Sequence, residues 1–379
     1  PDKMRPGVPY GRRAGNGGGM YRIYVYAICK NEEKFAERWV RSMQEADGIC
    51  VLDTGSTDGT AERLRELGAH VTQEAVTPWR FDTARNRSLE LVPEDADLCV
   101  CTDLDEVFRP GWRTAMEQAL AGGAEKLRYR YTWSFRPDGR EGVVFWIEKA
   151  HARFGFRWAH PVHEVLECTK GACRTVDAEG VQLDHHPDPE KSRGQYLPLL
   201  ELAVQEAPED DRNAFYLGRE YSFYGRWSDC ERTLRQYLRM PSAVWDEERC
   251  AAMRILAQAC LAQERTAEAE RWLLRACAEA PQLREPWLSA AGLALEQEKW
   301  GGALYFAERA LEIPARSRSY LNEPESWGAR PYDLAALAAY YMGLYETALS
   351  YGREALAQEP ENGRLRKNLE FYEAAAAKM

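Results

Sequence analysis

From residue 21 to about residue 125 the chain alternates short apolar runs with amphipathic stretches. Tyr21 to Cys29 sets Ile23, Val25 and Ile28 in a β-rich run, and Glu32 to Glu45 puts Phe35, Trp39 and Met43 on one helical face. Gly48 to Asp53 predicts a buried strand, Asp58 to Leu67 a helix closed by Gly68, and His70 to Val76 another strand. A helix from Phe81 to Leu91, a strand from Leu98 to Thr102 and a helix from Gly111 to Leu120 complete the series. Strands alternating with helices of this length predict β-α-β units, that is, a parallel sheet with helices on both faces. Ligands of such sheets gather at the carboxyl ends of the strands. Asp53 and Asp103 stand at two of those ends.

Between residues 126 and 186 the pattern becomes aromatic and alternating. Lys126 to Phe135, Val143 to His151, Arg153 to Val165 and Arg174 to Asp184 predict antiparallel strands that finish the sheet and wall a cleft. From about Pro189 the chain reads as helix to its end. Prolines at 208, 241, 281, 314 and 360 close successive helices, 33, 40, 33 and 46 residues apart. Similar phrases precede several of them, with Ala303, Phe306, Ala307 and Ala310 echoed by Ala348, Tyr351 and Ala355. Repeats near this length resemble the tetratricopeptide family. Arg316 to Pro331 is a long insertion between repeats, and loops of that length are either disordered or functional. The expected layout is a leader over 1–19, an α/β domain over 20–188 and an all-α repeat domain over 189–379.

Composition narrows the class. The 379 residues leave room for two cores. A formal net charge of −10 argues against nucleic acid or an anionic membrane as partner, and no apolar stretch is long enough to span a bilayer. Residues 1–19 carry Arg5, Arg12, Arg13 and a Gly-rich run without an apolar segment, so they read as a disordered leader or cloning remnant and not as a secretory signal. Ten cysteines include no C-x-x-C pair; Cys29, Cys50, Cys99 and Cys101 fall in predicted strands and Cys230, Cys250, Cys260 and Cys277 on helical faces. They are expected as core thiols of a cytoplasmic protein.

The chemistry concentrates at Asp103-Leu104-Asp105, which ends the run Leu98 to Thr102. Carboxylates at i and i+2 of an extended chain point to one side and repel unless a cation lies between them. A solvated acidic turn is the alternative. At Asp53-Thr54-Gly55-Ser56-Thr57-Asp58-Gly59-Thr60, an acid at a strand end enters a turn that caps the next helix, and Asp53 there can accept hydrogen bonds from a nucleotide base or ribose.

These segments, together with Ala27-Ile28-Cys29-Lys30-Asn31-Glu32, Ala84-Arg85-Asn86 and the following Glu106, occur in an order and spacing that resembles the inverting family 2 glycosyltransferases of the GT-A fold. The resemblance implies a nucleoside-diphosphate-sugar donor, most often a UDP-sugar, with Mn2+ or Mg2+. It implies Asp53 as a base or ribose ligand, Arg85 as a donor-site contact, Asp103 facing the ribose and Asp105 holding the metal. Such a cation, helped by Arg, stabilises the charge that grows on the leaving diphosphate. Five of the six histidines lie between His151 and His186. GT-A enzymes often recruit a later His to the metal, so His185 or His186 is expected as a ligand. An inverting enzyme needs a base at the acceptor; Glu164 is the candidate, with His163 as its orienter or substitute.

A GT-A domain followed by tetratricopeptide-like helices further resembles a bacterial group that includes the peptide S-glycosyltransferases of glycocins. That likeness implies a hexose moved to Cys, Ser or Thr of a peptide or protein held on the helical repeats, where Tyr216, Tyr221, Phe223, Tyr224 and Trp227 are candidates to line the surface. A cell-surface glycan, lipid carrier or modified DNA base is the alternative acceptor, and a non-catalytic nucleotide-binding scaffold is the alternative from another class. A homodimer through the repeats stays open.

Overall fold

The computed structural model describes residues 21–189 and 194–378, and the expected leader over 1–19 lies outside them. Two compact units divide the chain, Pro1–Lys191 and Ser192–Met379. The first holds an eight-stranded sheet of β1 (Ile23–Cys29), β2 (Gly48–Asp53), β3 (His70–Gln73), β4 (Leu98–Thr102), β5 (Glu106–Phe108), β6 (Lys126–Thr132), β7 (Val144–His151) and β10 (Thr175–His185). The spatial order is β3-β2-β1-β4-β7-β6-β10-β5. β2 lies on one side of β1 and β4 on the other, all parallel. The strand order therefore reverses at β1, and the crevice beyond the ends of β1, β2 and β4 is the topological switch point where ligands of open α/β sheets bind.

The apolar runs produce this arrangement because both sheet faces are covered. Every residue of β1 and β4 is buried. Ile23, Val25 and Ala27 pack with Trp39 and Met43 under α1 (Glu33–Ser42), with Leu64 of α2 (Thr60–Glu66), and with Trp112 and Met116 of α4 (Trp112–Ala121). On the opposite face Tyr24, Tyr26, Cys99 and Cys101 meet Leu89 of α3 (Phe81–Glu90), but also Phe156, Trp158 and Leu166. These last belong to a separate hairpin, β8 (Phe156–Ala159) and β9 (Val165–Cys168), so part of the second face is covered by β structure instead of helix.

That hairpin corrects the expected strand over Arg153 to Val165. His160 and His163 both take left-handed backbone conformations, with φ of +75° and +50°, and the chain turns back between them. The hairpin also carries the chain across, so that β10 runs parallel to β6 and not antiparallel as expected; β7 is antiparallel to both its neighbours. The mostly parallel sheet stands.

The second unit is all-helical. After α5 (Tyr196–Glu206) come four helical hairpins: α6 (Asp211–Phe223) with α7 (Trp227–Tyr237), α8 (Asp246–Leu261) with α9 (Thr266–Glu279), α10 (Arg284–Glu296) with α11 (Trp300–Leu311), and α12 (Arg330–Tyr341) with α13 (Tyr345–Gln358). α14 (Gly363–Ala376) packs on α13. Each hairpin turns through one left-handed residue in the same place, Gly225, Glu264, Glu298 or Gly343, which ends the first helix. Prolines 208, 241, 281, 314 and 360 fall just beyond α5, α7, α9, α11 and α13. All ten cysteines are free thiols, and eight are buried.

Candidate active site

Asp53 closes β2 with its side chain wholly buried. Its Oδ1 accepts the backbone N–H groups of Gly55 (2.9 Å) and Ser56 (2.7 Å), which is why the turn forms, and Gly55 takes a φ of +111° that a side chain would resist. Its Oδ2 is buried with no hydrogen-bond partner. A buried carboxylate oxygen left unsatisfied costs about 1–3 kcal/mol or more, so a ligand N–H or O–H at this place gains that much by supplying the bond. The loop after β1 braces the same turn: Asn31 Oδ1 accepts from Thr57 N (2.7 Å) and Ser56 Oγ from Asn31 N (2.9 Å).

At the end of β4 a chain of alternating charges runs Glu164, Arg85, Asp103, Lys149, Glu106. Arg85, buried on α3, donates from Nε to Glu164 and from Nη2 to Asp103 Oδ2 at 3.2 Å, with its guanidinium 5.4 Å from the Trp158 ring centroid. Asn86 fixes that ring: its side-chain amide exchanges hydrogen bonds of 2.8 and 2.9 Å with the backbone of Trp158, as a neighbouring strand would. Lys149 Nζ donates to Asp103 Oδ2 (3.1 Å) and to both Glu106 oxygens (2.7 and 2.8 Å). Glu106 also accepts from Tyr131 Oη (2.7 Å) and Asp103 N (2.9 Å). Burial pushes the Glu106 carboxyl up against the pull of Lys149, and burial opposes the Lys149 charge while Asp103 and Glu106 raise its pKa on balance.

Asp105 and His185 form a second group. His185 Nδ1 lies 2.9 Å from the Trp133 carbonyl and the ring stacks on the Trp133 indole at 4.3 Å, which leaves Nε2 aimed at Asp105 Oδ2, 3.5 Å away. A carbonyl accepting from Nδ1–H is the outer-shell contact that turns Nε2 of an imidazole toward a metal ion. Burial lowers the His185 pKa, but Asp105 outweighs it and raises it overall. An imidazole and a carboxylate converging in this way are donor types that would hold a divalent cation, which would take the place of the proton between them. His186 differs: its ring stacks on Phe135 and its backbone N–H reaches the Asp105 carbonyl at 2.8 Å, so His185 is the imidazole turned toward the carboxylate.

Of the expected residues, the structure joins Arg85, Asp103 and Glu164 in one cluster, places Asp105 with His185, and leaves Asp53 two strands from β4. Glu164, the candidate base, accepts from Arg85 Nε. His151 belongs to the core, where Nε2 meets Tyr26 Oη at 2.7 Å, and burial lowers its pKa to about 4. Lys149 was missed for a readable reason. One extra β7 residue sits between the Leu127–Ala150 and Tyr129–Ile147 pairs, and such a bulge re-aims a side chain in a way that strand alternation hides. Elsewhere, Glu231, Cys260 and Glu268 cluster closely enough for a cation, but Arg235 and Arg265 already occupy both carboxylates.

Residues 24–161 match the family described as glycosyl transferase family 2. The first unit carries a family 2 glycosyltransferase domain. Two curated relatives are similar to parts of the chain. One is a lipopolysaccharide core biosynthesis glycosyltransferase, LpsC, of Rhizobium meliloti (strain 1021), 26% identical over 110 residues, covering 28% of this chain and 40% of the relative. The other is a TPR repeat-containing protein of Synechococcus elongatus, 27% identical over 157 residues, covering 40% of this chain and 37% of the relative. The chain thus spans about two fifths of the length of the curated relatives it matches. Solved structures similar to it include YrrB, titled a TPR protein with an unusual peptide-binding site, at 15% identity and a TM-score of 0.39, covering 47% of this chain and 84% of that one. MamA follows at 18% identity and a TM-score of 0.36, covering 45% and 87%. In the family 2 domain the strand ends at Asp53 and Asp103 fall within the matched residues, while His185 lies beyond them. Among the described residues no helix is long and apolar enough to cross a membrane.

Proposed function

We propose that the chain is a metal-dependent, inverting glycosyltransferase that moves a hexose from a UDP-sugar to a Cys, Ser or Thr side chain of a peptide or protein. The observation that carries the donor part is the unsatisfied, fully buried Asp53 Oδ2 at the switch point, beside the charge chain through Asp103. A uracil N–H or a ribose hydroxyl is the kind of donor that oxygen lacks. Asp103 then faces the ribose, and Arg85 lies where the diphosphate develops charge as the sugar–oxygen bond breaks. Asp105 and His185 would hold Mn2+ or Mg2+, which neutralises the departing diphosphate. Trp133, half exposed, stacks on His185 beside that pair.

The helical repeats support a polypeptide acceptor, since stacked hairpins present a continuous surface to an extended chain. The name of the Rhizobium relative favours a second reading, a glycan acceptor with the same donor chemistry. Two measurements separate these. UDP release from a panel of UDP-sugars, with and without Mn2+, tests the donor; no release, and no thermal shift by UDP with Mn2+, would sink the enzyme reading. Intact-mass analysis then compares peptides with truncated lipopolysaccharide cores as acceptors. A hexose gain on the glycan alone would replace the peptide reading.

A further inference from the structure

We propose that the groove between α1 and β5 is an acceptor subsite for anions, which takes acidic side chains flanking the residue to be glycosylated in a peptide. This rests on the peptide reading of the acceptor.

The groove is open and encloses about 570 Å³. Lys34, Arg38 and Arg41 of α1 line it together with Phe108 and Pro110, from β5 and the residues after it. Their spacing of i, i+4 and i+7 sets the three cations on one face of the helix. Arg38 is exposed, and among the described residues no carboxylate pairs with it; its guanidinium lies 5.4 Å from the Phe35 ring centroid. Lys34 Nζ meets Asp188 Oδ2 at 2.8 Å. Glu37 is the acid among the lining residues, and Arg41 shares it with Arg63 of α2. The side chains of Lys34 and Arg41 are 52% and 70% exposed, so these pairs are weak and an incoming carboxylate replaces them at little cost. In a chain of formal net charge −10, a local surplus of positive charge selects where an anion can lie.

The place suits an acceptor. β5 starts one residue after Asp105, and Asp188 stands three residues past His185, so both sides of the groove lead back to the pair proposed to hold the metal. From Lys34 to Arg41 the helix axis advances about 10 Å, the length of about three extended residues. Alternate side chains of an extended peptide point to one side about 6.6 Å apart, close to the rise of about 6 Å from Lys34 to Arg38. Acids at every second position therefore meet successive cations, and a guanidinium holds a carboxylate through paired hydrogen bonds.

Fluorescence anisotropy with the full chain tests this. The probes are labelled peptides in which a central cysteine is flanked by aspartate and glutamate alternating with alanine, and their asparagine and glutamine counterparts. Wild type should bind the acidic peptide at least about tenfold more tightly than the neutral one, a preference that falls as salt rises. Arg38→Gln/Arg41→Gln should reduce it to about threefold or less, with the neutral peptide's affinity and the thermal midpoint unmoved. A preference intact in the double variant overturns the proposal. Should the double variant melt early, Arg38→Gln alone must lower the preference at least about threefold, and a full preference there is equally fatal. Arg232→Gln alters an exposed arginine of the second unit and should change nothing; an equal loss there shows unspecific attraction and overturns the subsite. A wild type without the preference overturns it too, and if a phosphorylated lipopolysaccharide core binds instead through Arg38, the occupant is a glycan. Intact-mass analysis with the same peptides and the UDP-sugar that the chain turns over keeps the two readings apart. A hexose gain equal on acidic and neutral peptides removes the subsite and leaves the peptide acceptor standing, whereas a gain on the lipopolysaccharide core alone removes both.

Discussion

Arg85→Met separates what Arg85 does for the fold from what it does for the donor. The guanidinium ties Glu164, whose side chain is 11% exposed, to Asp103 and lies over Trp158. Methionine keeps most of the volume but removes the charge, and Glu164 then lies buried without its cation. Breaking a buried pair from one side costs about 3–5 kcal/mol, most of it the uncompensated charge. Asp103 is spared that penalty because Lys149 still holds it. Arg85→Met/Glu164→Gln removes the stranded carboxylate, so the loss should shrink to about 1–2 kcal/mol, the cation–π contact and the Asp103 bond remaining unmade. Urea denaturation followed by tryptophan fluorescence reads both values, and calorimetry with UDP and Mn2+ reads the donor. Stability should recover in the double variant while UDP affinity stays at least tenfold below wild type. Recovery of both would refute Arg85 as a donor contact, and an equally unstable double variant would refute the ion-pair accounting.

Three further outcomes follow. Asp105→Ala should abolish turnover and metal-dependent UDP binding while the far-ultraviolet circular dichroism is unchanged; near-normal activity would remove the metal from the mechanism. His151 is buried with a pKa lowered to about 4, so the unfolded chain takes its proton first as pH falls from about 6.5; this site should cost about 3 kcal/mol of stability by pH 4, a slope absent from His151→Leu in parallel denaturation series. Tyr320→Ala should lower the stability of the second unit by about 2–3 kcal/mol, because Tyr320 stacks on Tyr216 and donates to Glu248 Oε2 at 2.9 Å; a change under about 0.5 kcal/mol in chemical denaturation would show that the segment carrying it is loosely held.

The parts of the first unit that the sequence revealed are those in which one run of residues decides the outcome. β2 and β4 have the expected bounds because apolar runs buried on both faces end at turn residues. β5 is three residues long and exists through its antiparallel pairing with β10, so no local pattern announces it. The hairpin of β8 and β9 was hidden for a similar reason: His160 and His163 adopt left-handed backbone without being glycine. Asp103 and Asp105 were legible as a pair, but their division of labour was not. It depends on Lys149, brought round by a bulge, and on His185, presented from the end of a strand some eighty residues later.

The repeat unit shows the same limit from the opposite side, where local reading named the right residues and left their surroundings open. Tyr216 was a candidate either to line a surface for an extended acceptor or to pack within the repeats, and the insertion after α11 lies on it. That segment, with a short 3-10 turn at Pro324–Trp327, crosses the first helices of three hairpins: Tyr320 stacks on Tyr216 of α6, Ser317 and Ser319 donate to Glu247 of α8, and Glu323 N–H and Trp327 Nε1 reach Glu285 of α10. Arg254 of α8 closes the seam on Glu323 at 2.6 Å, and Asn322 and Ser326 are buried. Tyr221 is committed too, donating to Glu201 at 2.9 Å, whereas Phe223 and Tyr224 stay exposed at the end of α6. Faces of α6, α8 and α10 are thus already bound by this chain's own extended segment. An acceptor held on the repeats has two routes: displace it, at the loss of those hydrogen bonds, or dock on surface that it leaves uncovered. Mass-spectrometric footprinting of Tyr320 with and without an acceptor peptide distinguishes the two, since only displacement exposes that ring.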